Sequence, residues 1–253
     1  MSRTRGSSPV SGPGSRPPLR WPALARRLHK WLALVVGIQA VLWMLGGLYM
    51  AAVHIDIIHG DRLVKAVPPR PLPVAGLVEP AHLAHLAPGL KSARLEVQAG
   101  RPVYVVDAEA GRALFDARSG RKLSPLGEAE ARARAKALFA EDGEIVSATL
   151  LTKAPLEIQG RATPIWRVEF EGAWRPTFYI SPQTGELVSR RHDLWRAFDV
   201  VWMLHIMDYE GRTDVNNPLL RAFTWLAVGS AVTGGWLLFY SFRRRRRRRG
   251  AVA

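Results

Sequence analysis

Two uncharged stretches of membrane-spanning length constrain this chain more than any other feature. The second, Ala222–Phe242, contains no charged residue and is followed at once by seven arginines, Arg243–Arg249. As a helix it would extend about 31 Å, the thickness of the hydrocarbon core of a bilayer. A core helix of a large soluble protein is the alternative, but such helices are usually shorter and amphipathic. The sequence therefore predicts a transmembrane helix over residues 218–242.

The first stretch, Trp31–Val53, is also free of charge and follows the basic residues Arg26, Arg27 and Lys30. Its apolar run is too long for a signal peptide, and no clear small-x-small cleavage site follows it. It is therefore predicted to be a retained transmembrane helix over residues 28–53. Because short basic flanks stay in the cytoplasm, both termini are expected inside and the central region outside.

Small residues in both stretches predict close helix packing. Ser230 and Gly234 are four residues apart, as are Ala231 and Gly235, and this spacing lets helix backbones approach each other. Gln39 is the one amide of the first stretch and is expected to form a hydrogen bond across the interface. The sequence does not separate a helix pair within one chain from the seam of a homodimer.

The net charge of +15 does not indicate a nucleic-acid-binding protein, because of where the charge lies. Residues 1–53 carry seven basic and no acidic residues, and residues 218–253 carry eight basic and no acidic ones, whereas residues 54–217 carry 21 of each. A nucleic-acid-binding protein would concentrate basic charge on a folded face. The excess is interpreted as membrane topology, with the lipid bilayer as partner. The absence of cysteine excludes disulfides, thiol catalysis and cysteine-ligated metals.

The central region contains an internal repeat. Residues 101–119 and 163–184 each have an alternating strand, a turn containing glycine, and a second alternating strand. A Ser-Gly or Thr-Gly turn ends each copy, so that Gly120 corresponds to Gly185. The repeat predicts two antiparallel hairpins built on one plan.

Helical periodicity accompanies the repeat. Pro80–Leu86 is a predicted helix before the first hairpin, and the alanine-rich segment Glu128–Phe139 is one before the second. Residues 192–208 also have apolar residues at helical spacing, but Arg196 and Asp199 interrupt them. This last segment is predicted to be an interfacial helix lying on the outer leaflet, with its tryptophans at headgroup depth.

The predicted fold class is α+β, with two transmembrane helices flanking two helix-plus-antiparallel-hairpin units. In chain order the expected parts are a disordered basic cytoplasmic tail (1–27), the first transmembrane helix (28–53), a proline-rich connector (54–78), the first unit (79–125), the second unit (126–191), an interfacial helix and hinge (192–217), the second transmembrane helix (218–242) and a polybasic cytoplasmic tail (243–253).

Three sequence features occur in a recognisable order: LHKWLALVVGIQAVLWMLGGLYM, the paired units ending in SG and TG, and LHIMDYEGR before a glycine-containing span. In this order the chain resembles the PepSY-associated transmembrane family of bacterial inner membranes. The resemblance implies a two-pass inner-membrane protein whose two PepSY-like units lie in the periplasm. Small PepSY domains are similar to parts of the propeptides of secreted metallopeptidases. Larger multi-span relatives resemble siderophore-iron reductases that carry haem between their helices.

Three functions follow from these features. The favoured hypothesis is a non-enzymatic binding or scaffolding subunit that presents its PepSY-like units to a periplasmic or membrane protein partner. The alternative is a haem-carrying redox component of periplasmic electron transfer or siderophore-iron reduction. A second alternative is a regulator of a periplasmic peptidase. Nothing in the sequence resembles a catalytic triad, a phosphate loop or a dinucleotide fingerprint, so the sequence favours a non-enzyme.

His54 and His205 are the candidate haem ligands. The predicted topology brings these two histidines to one membrane face, and neutral imidazoles are good axial ligands for haem b. His29 lies about 37 Å of helix away from His54 and cannot share a metal with it. The competing interpretation is that both candidates are interfacial polar residues, hydrogen-bonded to backbone or to lipid headgroups. A haem site of this kind would need a homodimer or another subunit to supply the missing helices.

Glu79, His82 and His85 form a second candidate cluster, because their spacing places three potential metal ligands along one helical face. Two histidines three residues apart are common, however, and a solvated helix face is the simpler interpretation. No metal site is therefore predicted.

Two further groups of residues are explained most simply by structure. The loop residues Asp208, Glu210 and Arg212 suggest helix capping and a surface ion pair rather than an iron or partner site. The hairpin aromatics are expected to form the packed face of a sheet rather than a binding surface; they are Tyr104, Trp166, Phe170, Phe178 and Tyr179.

Overall fold

The computed structural model describes residues 21–66, 71–72 and 75–249. Most of the expected N-terminal tail, part of the proline-rich connector and the last four residues lie outside these ranges. The helices are α1 (Trp21–Ala52), α2 (Ile55–His59), α3 (Pro80–Leu86), α4 (Glu128–Leu138), α5 (Asp193–Ile206) and α6 (Pro218–Arg249). The strands are β1 (Leu90–Gln98), β2 (Arg101–Ala108), β3 (Gly111–Asp116), β4 (Ile145–Leu151), β5 (Ile165–Phe170), β6 (Thr177–Ile180) and β7 (Leu187–Arg191).

The chain divides into two compact parts, one formed by Met1–Val41 with Pro218–Ala253 and the other by Leu42–Asn217. Two long helices, α1 and α6, contain the stretches of membrane-spanning length, Arg26–Ala52 and Pro218–Phe239. In an apolar 18-residue window of each stretch, only 11% of the first and 6% of the second is buried within the chain. A core helix of a soluble protein would be covered by its neighbours, so this exposure contradicts the soluble alternative. The protein is therefore a membrane protein, with two apolar helices flanking an α+β region.

In the part of the chain that contains α6, His29 of α1 lies against α6. Its Nδ1 is 3.0 Å from Oγ1 of Thr233, with which it forms a hydrogen bond. A Cβ atom on Gly234 would lie 2.9 Å from Cε1 of His29, closer than side chains normally approach. The absence of a side chain at Gly234 thus allows the imidazole to reach Thr233, which agrees with the prediction that small residues permit close packing.

The first sheet is an antiparallel meander in the order β1–β2–β3. Its inner face packs against α3 through Leu83, which is fully buried against Tyr104, Val106 and Phe115. We call α3 with this sheet the first unit.

The second sheet is an antiparallel meander in the order β4–β5–β6–β7, and α4 packs on it. Phe139, at the end of α4, is fully buried between Phe170 and Phe178 of the sheet. We call α4 with this sheet the second unit.

The predicted repeat between the two units is visible in the backbone. Gly120 and Gly185 have φ angles of 70° and 69°, a left-handed conformation that glycine adopts at no steric cost. Each donates its N–H four residues back, Gly120 to Asp116 and Gly185 to Ser181, at 2.9 and 2.8 Å. The two turns are therefore built alike.

The sheets contain three strands that the sequence did not indicate. Each predicted hairpin is preceded by an additional edge strand, β1 or β4, and β7 extends the second sheet. Most residues of β1 are exposed, and β4 has an irregular burial pattern. Neither strand therefore carries the clear alternation of apolar and polar residues by which a half-buried strand is recognised.

The first part of the expected connector, residues 54–78, differs from the prediction. After α1 the chain forms α2 and a 3₁₀ turn, Asp61–Leu63, and then pairs with the second unit. Lys65 N–H donates to the Leu138 carbonyl at 2.8 Å, and Ala140 N–H donates to the Leu63 carbonyl at 2.9 Å. Leu63 is buried in the same core as Phe139. This segment is therefore part of the fold rather than a spacer.

The helix expected after the second unit is present as α5, but its orientation differs from the in-plane one predicted. Residue numbers fall along α5 as they rise along α1, so the two helices lie side by side and antiparallel. An interfacial helix would instead lie across the axis of a membrane-spanning helix. The contacts are between Trp43 and His205, between Gly46 and Val201, and between Tyr49 and Leu194.

Candidate functional site

A network of ionic hydrogen bonds joins the second unit to α5. Arg196 of α5 donates through Nε to Oε2 of Glu157 at 2.8 Å and through Nη2 to Oγ1 of Thr177 at 3.0 Å. The hydroxyl of Tyr179, in β6, donates to the other oxygen of Glu157. Arg196 also contacts Asp193 at 3.1 Å, one turn earlier on its own helix. A single carboxylate thus receives donors from the sheet and from α5.

The electrostatics of this network favour an ionised Glu157. Burial alone would raise the pKa of its carboxyl group, but hydrogen bonds from Arg196 and Tyr179 outweigh burial and lower the pKa. Burial, together with the bond to Glu157, raises the pKa of Tyr179. The network is therefore a carboxylate held between a guanidinium and a phenol, in which Tyr179 keeps its proton.

A second set of contacts joins the segment after α1 to the second unit. Nε2 of His192, a buried residue, lies 3.1 Å from the carbonyl oxygen of Ile58 in α2, with which it forms a hydrogen bond. Arg190 donates through Nε to the His59 carbonyl at 2.9 Å and forms an ion pair with Asp61. Burial lowers the pKa of His192, which favours its neutral form. The second unit is thus attached both to the segment that follows α1 and to the start of α5.

A cleft of about 500 Å³ lies between the first unit and the second unit. Its walls are β3, the loop of residues 160–164 and the β6–β7 turn, and its charged lining residues are Arg112, Arg161 and Glu186. The cleft is within the size range of ligand-binding pockets.

The β6–β7 turn that forms one wall of the cleft is fixed against the first unit. Glu186 forms an ion pair with Arg94 of β1, and Gln98 donates to the Thr184 carbonyl at 3.1 Å. A Cβ atom on Gly185 would lie 2.9 Å from Cζ of Arg134, and its φ of 69° is in the left-handed region that favours glycine. The cleft is therefore bounded by a turn held in place from both units.

Comparison with known families assigns the second unit. The sequence model of the family described as PepSY: Peptidase propeptide and YPEB domain matches residues 125–191. These residues form a PepSY domain. With its two candidate membrane helices, the chain is a PepSY-containing membrane protein, as the sequence resemblance implied. No curated protein and no solved structure matches the chain.

The predicted haem ligands, His54 and His205, lie at different levels beside the PepSY domain. His205 is level with Trp43, whereas His54 is eleven residues, or about 16 Å of helix, further along the chain. Nδ1 of the exposed His54 accepts a hydrogen bond from the Asp56 N–H and caps α2. Axial ligands bind one iron from opposite sides, so the two histidines of a single chain do not fit one haem. The pair stays a prediction for a site that a second copy or another subunit would complete.

The weaker candidates are explained by local structure. Glu79, His82 and His85 are exposed, and no group of three His, Cys, Asp or Glu side chains in the described part of the chain could hold a metal ion. Asp208 accepts the N–H groups of Gly211, Thr213 and Asp214, which lower its pKa, and so closes the loop after α5.

Arg212 and the hairpin aromatics also have structural roles. Arg212 forms an ion pair with Asp199 of α5. The predicted packed aromatics are all buried, as expected; they are Tyr104, Trp166, Phe170, Phe178 and Tyr179.

Neither Glu157 nor His192 was predicted from the sequence to be part of a site. Glu157 lies in a 3₁₀ turn between β4 and β5, where no periodic pattern singles it out. One signal was available, because Arg196 and Asp199 interrupt the apolar run of α5. Charges on the apolar face of a helix require partners, and both residues have them within the fold.

Proposed function

We propose that this protein is a non-catalytic binding subunit that holds a protein partner at its PepSY domain, next to a membrane. The observation that carries the proposal is the double attachment of the domain, through Leu63 and His192 on one side and through Arg196 on the other. Domains that only need to be tethered are joined by flexible linkers, whereas this domain shares its core with the segment that follows α1.

The proposed location is a bacterial inner membrane, with both termini in the cytoplasm and the central domain in the periplasm. The basic residues that flank both apolar helices at the ends of the chain support this topology, because such flanks stay on the cytoplasmic side. The seven arginines after Phe242 would also contact anionic lipid.

We assign the cleft between the two units as the partner site. It is open to a segment of a partner chain, and charged side chains of both signs surround it. Arg112 and Arg161 are exposed there, so they can pair with acidic groups of the partner without first being released from a buried contact. Rim charges of this kind chiefly control specificity and association rate.

The test is crosslinking in cells followed by purification of the tagged full-length protein. We expect the double variant Arg112→Glu/Arg161→Glu to recover its main crosslinked partner at least tenfold less than the unaltered protein does. Arg118→Glu is the matched control, because Arg118 is exposed in the first unit but does not line the cleft. Equal recovery by the double variant and the control would contradict the proposal.

The same experiment separates the peptidase alternative, which the family's description as a peptidase propeptide domain favours. A peptidase among the partners lost in the double variant would select regulation of that enzyme. Its rate should then change on adding the unaltered protein and stay unchanged on adding the double variant. If the partner lost in the double variant is not a peptidase, the result supports the binding or scaffolding function instead.

The haem alternative has one supporting observation, because Nδ1 of His205 is buried without a hydrogen-bond partner among the described residues. Within one chain His205 and His54 lie too far apart to bind the same iron. We therefore expect any Soret band to be confined to dimeric fractions. The measurement is the absorption spectrum of detergent-purified protein made with adequate haem, oxidised and then reduced with dithionite. A Soret band that persists in both His54→Ala and His205→Ala would exclude this ligand pair.

A further inference from the structure

A second cavity, of about 270 Å³, lies on the PepSY domain and shares one lining residue, Val188, with the cleft. It is lined by His59 at the end of α2, by β7, and by Trp195 in the first turn of α5. Two consecutive arginines of β7, Arg190 and Arg191, contribute to its wall. The cavity is therefore basic and has an aromatic side.

Arg191 differs from Arg190 and Arg196 in the groups that it contacts. Arg190 is paired with Asp61, and Arg196 is paired with Glu157. Arg191 instead donates to two backbone carbonyls, those of Glu157 and Arg190, each at 2.7 Å. No carboxylate of the described residues lies within 4.0 Å of its guanidinium.

The Arg191 guanidinium lies over the ring of Trp195, with its carbon 3.9 Å from the ring centroid. The two carbonyls accept from Nε and Nη1, so these bonds and the tryptophan ring together hold the guanidinium in place. A guanidinium held in this way is suited to a second, anionic partner, because its Nη2 carries two further N–H groups that can donate to phosphate.

Burial has an electrostatic cost for Arg191. It lowers the pKa of this side chain by more than the nearby charge of Glu157 raises it. A partly buried charge that no carboxylate contacts directly is unfavourable, so an anion that entered the cavity would be stabilised by a charge already in place.

The position of the cavity indicates where such an anion would come from. His59 lies seven residues beyond Ala52, the last residue of α1, which contains a candidate membrane span. The headgroup layer of a bilayer extends about 5–8 Å beyond its hydrocarbon core on each side. Basic and aromatic residues at this depth are those that bind lipid headgroups.

We propose that the cavity formed by His59, Arg191 and Trp195 binds a phosphate group, supplied by the headgroup of an anionic phospholipid. Inorganic phosphate has the same chemistry and is the other possible source. Lipid bound here would contact α2 and α5 together and would orient the PepSY domain against the membrane surface.

The test is native mass spectrometry of the full-length protein released from detergent, with phosphatidylglycerol as the lipid probe. We expect Arg191→Gln to weaken lipid binding at least tenfold, and Arg118→Gln to bind as the unaltered protein does. His59→Glu is the second variant, because it adds a negative charge at the cavity and leaves the bonds of Arg191 in place. Diacylglycerol, which lacks the phosphate, should not bind at this site.

A calorimetric titration with inorganic phosphate separates the two sources. Loss of lipid binding in Arg191→Gln and His59→Glu, without measurable phosphate binding, assigns a lipid headgroup. If inorganic phosphate binds, both variants abolish this binding, and neither lipid binds, then the site binds free phosphate. The proposal is overturned if both variants bind both probes as the unaltered protein does, or if diacylglycerol binds as well as phosphatidylglycerol.

Discussion

Replacing Phe139 with alanine is expected to lower the free energy of unfolding by about 3–5 kcal/mol. Phe139 has no exposed surface, and its ring stacks on Phe170 at a centroid distance of 4.0 Å. It also meets the ring of Phe178 edge-on at 5.7 Å. Alanine would leave a cavity between α4 and the second sheet, and the neighbouring rings would lose their contacts across it.

The measurement is urea unfolding of the detergent-purified protein, followed by circular dichroism. Leu156→Ala is the control, since Leu156 lies in the same domain but is 55% exposed. We expect this control to cost less than about 1 kcal/mol. A cost for Phe139→Ala no greater than that of the control would show that Phe139 is not a central core residue.

Replacing Arg196 with methionine is expected to lower the free energy of unfolding by about 2–3 kcal/mol. Removing one partner of a fully buried ion pair typically costs about 3–5 kcal/mol, because the other charge is left without compensation. The expected value is smaller here because the side chains of Arg196 and Glu157 remain 28% and 18% exposed. Methionine keeps the length of the side chain and removes its charge.

The double variant Arg196→Met/Glu157→Gln should recover part of this loss, because it removes the uncompensated carboxylate as well. Arg132→Met is the matched control. Its pair with Glu128 is an exposed contact between residues four apart on α4, where such pairs contribute about 0.3–0.5 kcal/mol. Strictly additive losses in the double variant would indicate that Arg196 and Glu157 are not coupled.

The effect of Arg196→Met should also depend on pH. The pKa of Glu157 is lowered in the folded protein, so its contribution to stability is complete above the pKa of an unfolded glutamate, about 4.3. That contribution is lost as the pH falls through the lower, folded value, where the carboxylate becomes protonated. The difference between the unaltered protein and the variant should therefore shrink on acidification below about pH 4.

The features predicted best from the sequence were those with a strong local signal. The two apolar helices follow from length and absence of charge, and Pro80–Leu86 is helical with the predicted bounds. The repeat was detectable because Gly120 and Gly185 have a conformation that few other residues adopt. The aromatic residues of the hairpins were correctly expected to be buried, although Phe178 and Tyr179 are adjacent in β6 and lie in two different clusters.

The features that the sequence did not give arise from long-range contacts. The Arg196 side chain meets Glu157, 39 residues earlier, and His192 meets Ile58, 134 residues earlier. No spacing rule relates residues so far apart. The orientation of α5 was missed for a similar reason: its apolar face suits either a lipid surface or a neighbouring helix, and the packing of Val201 on Gly46 decides between them.

The burial of Leu63 has a practical consequence for where the PepSY domain can be cut. The family match begins at residue 125, yet Leu63 and the backbone pairing of residues 63–65 complete the same core. A fragment that starts at the family boundary would lack them and would leave apolar surface beside Phe139 open to water. A soluble fragment intended for crystallisation or binding studies should therefore begin near Ile55, so that the domain keeps the residues that cover this part of its core.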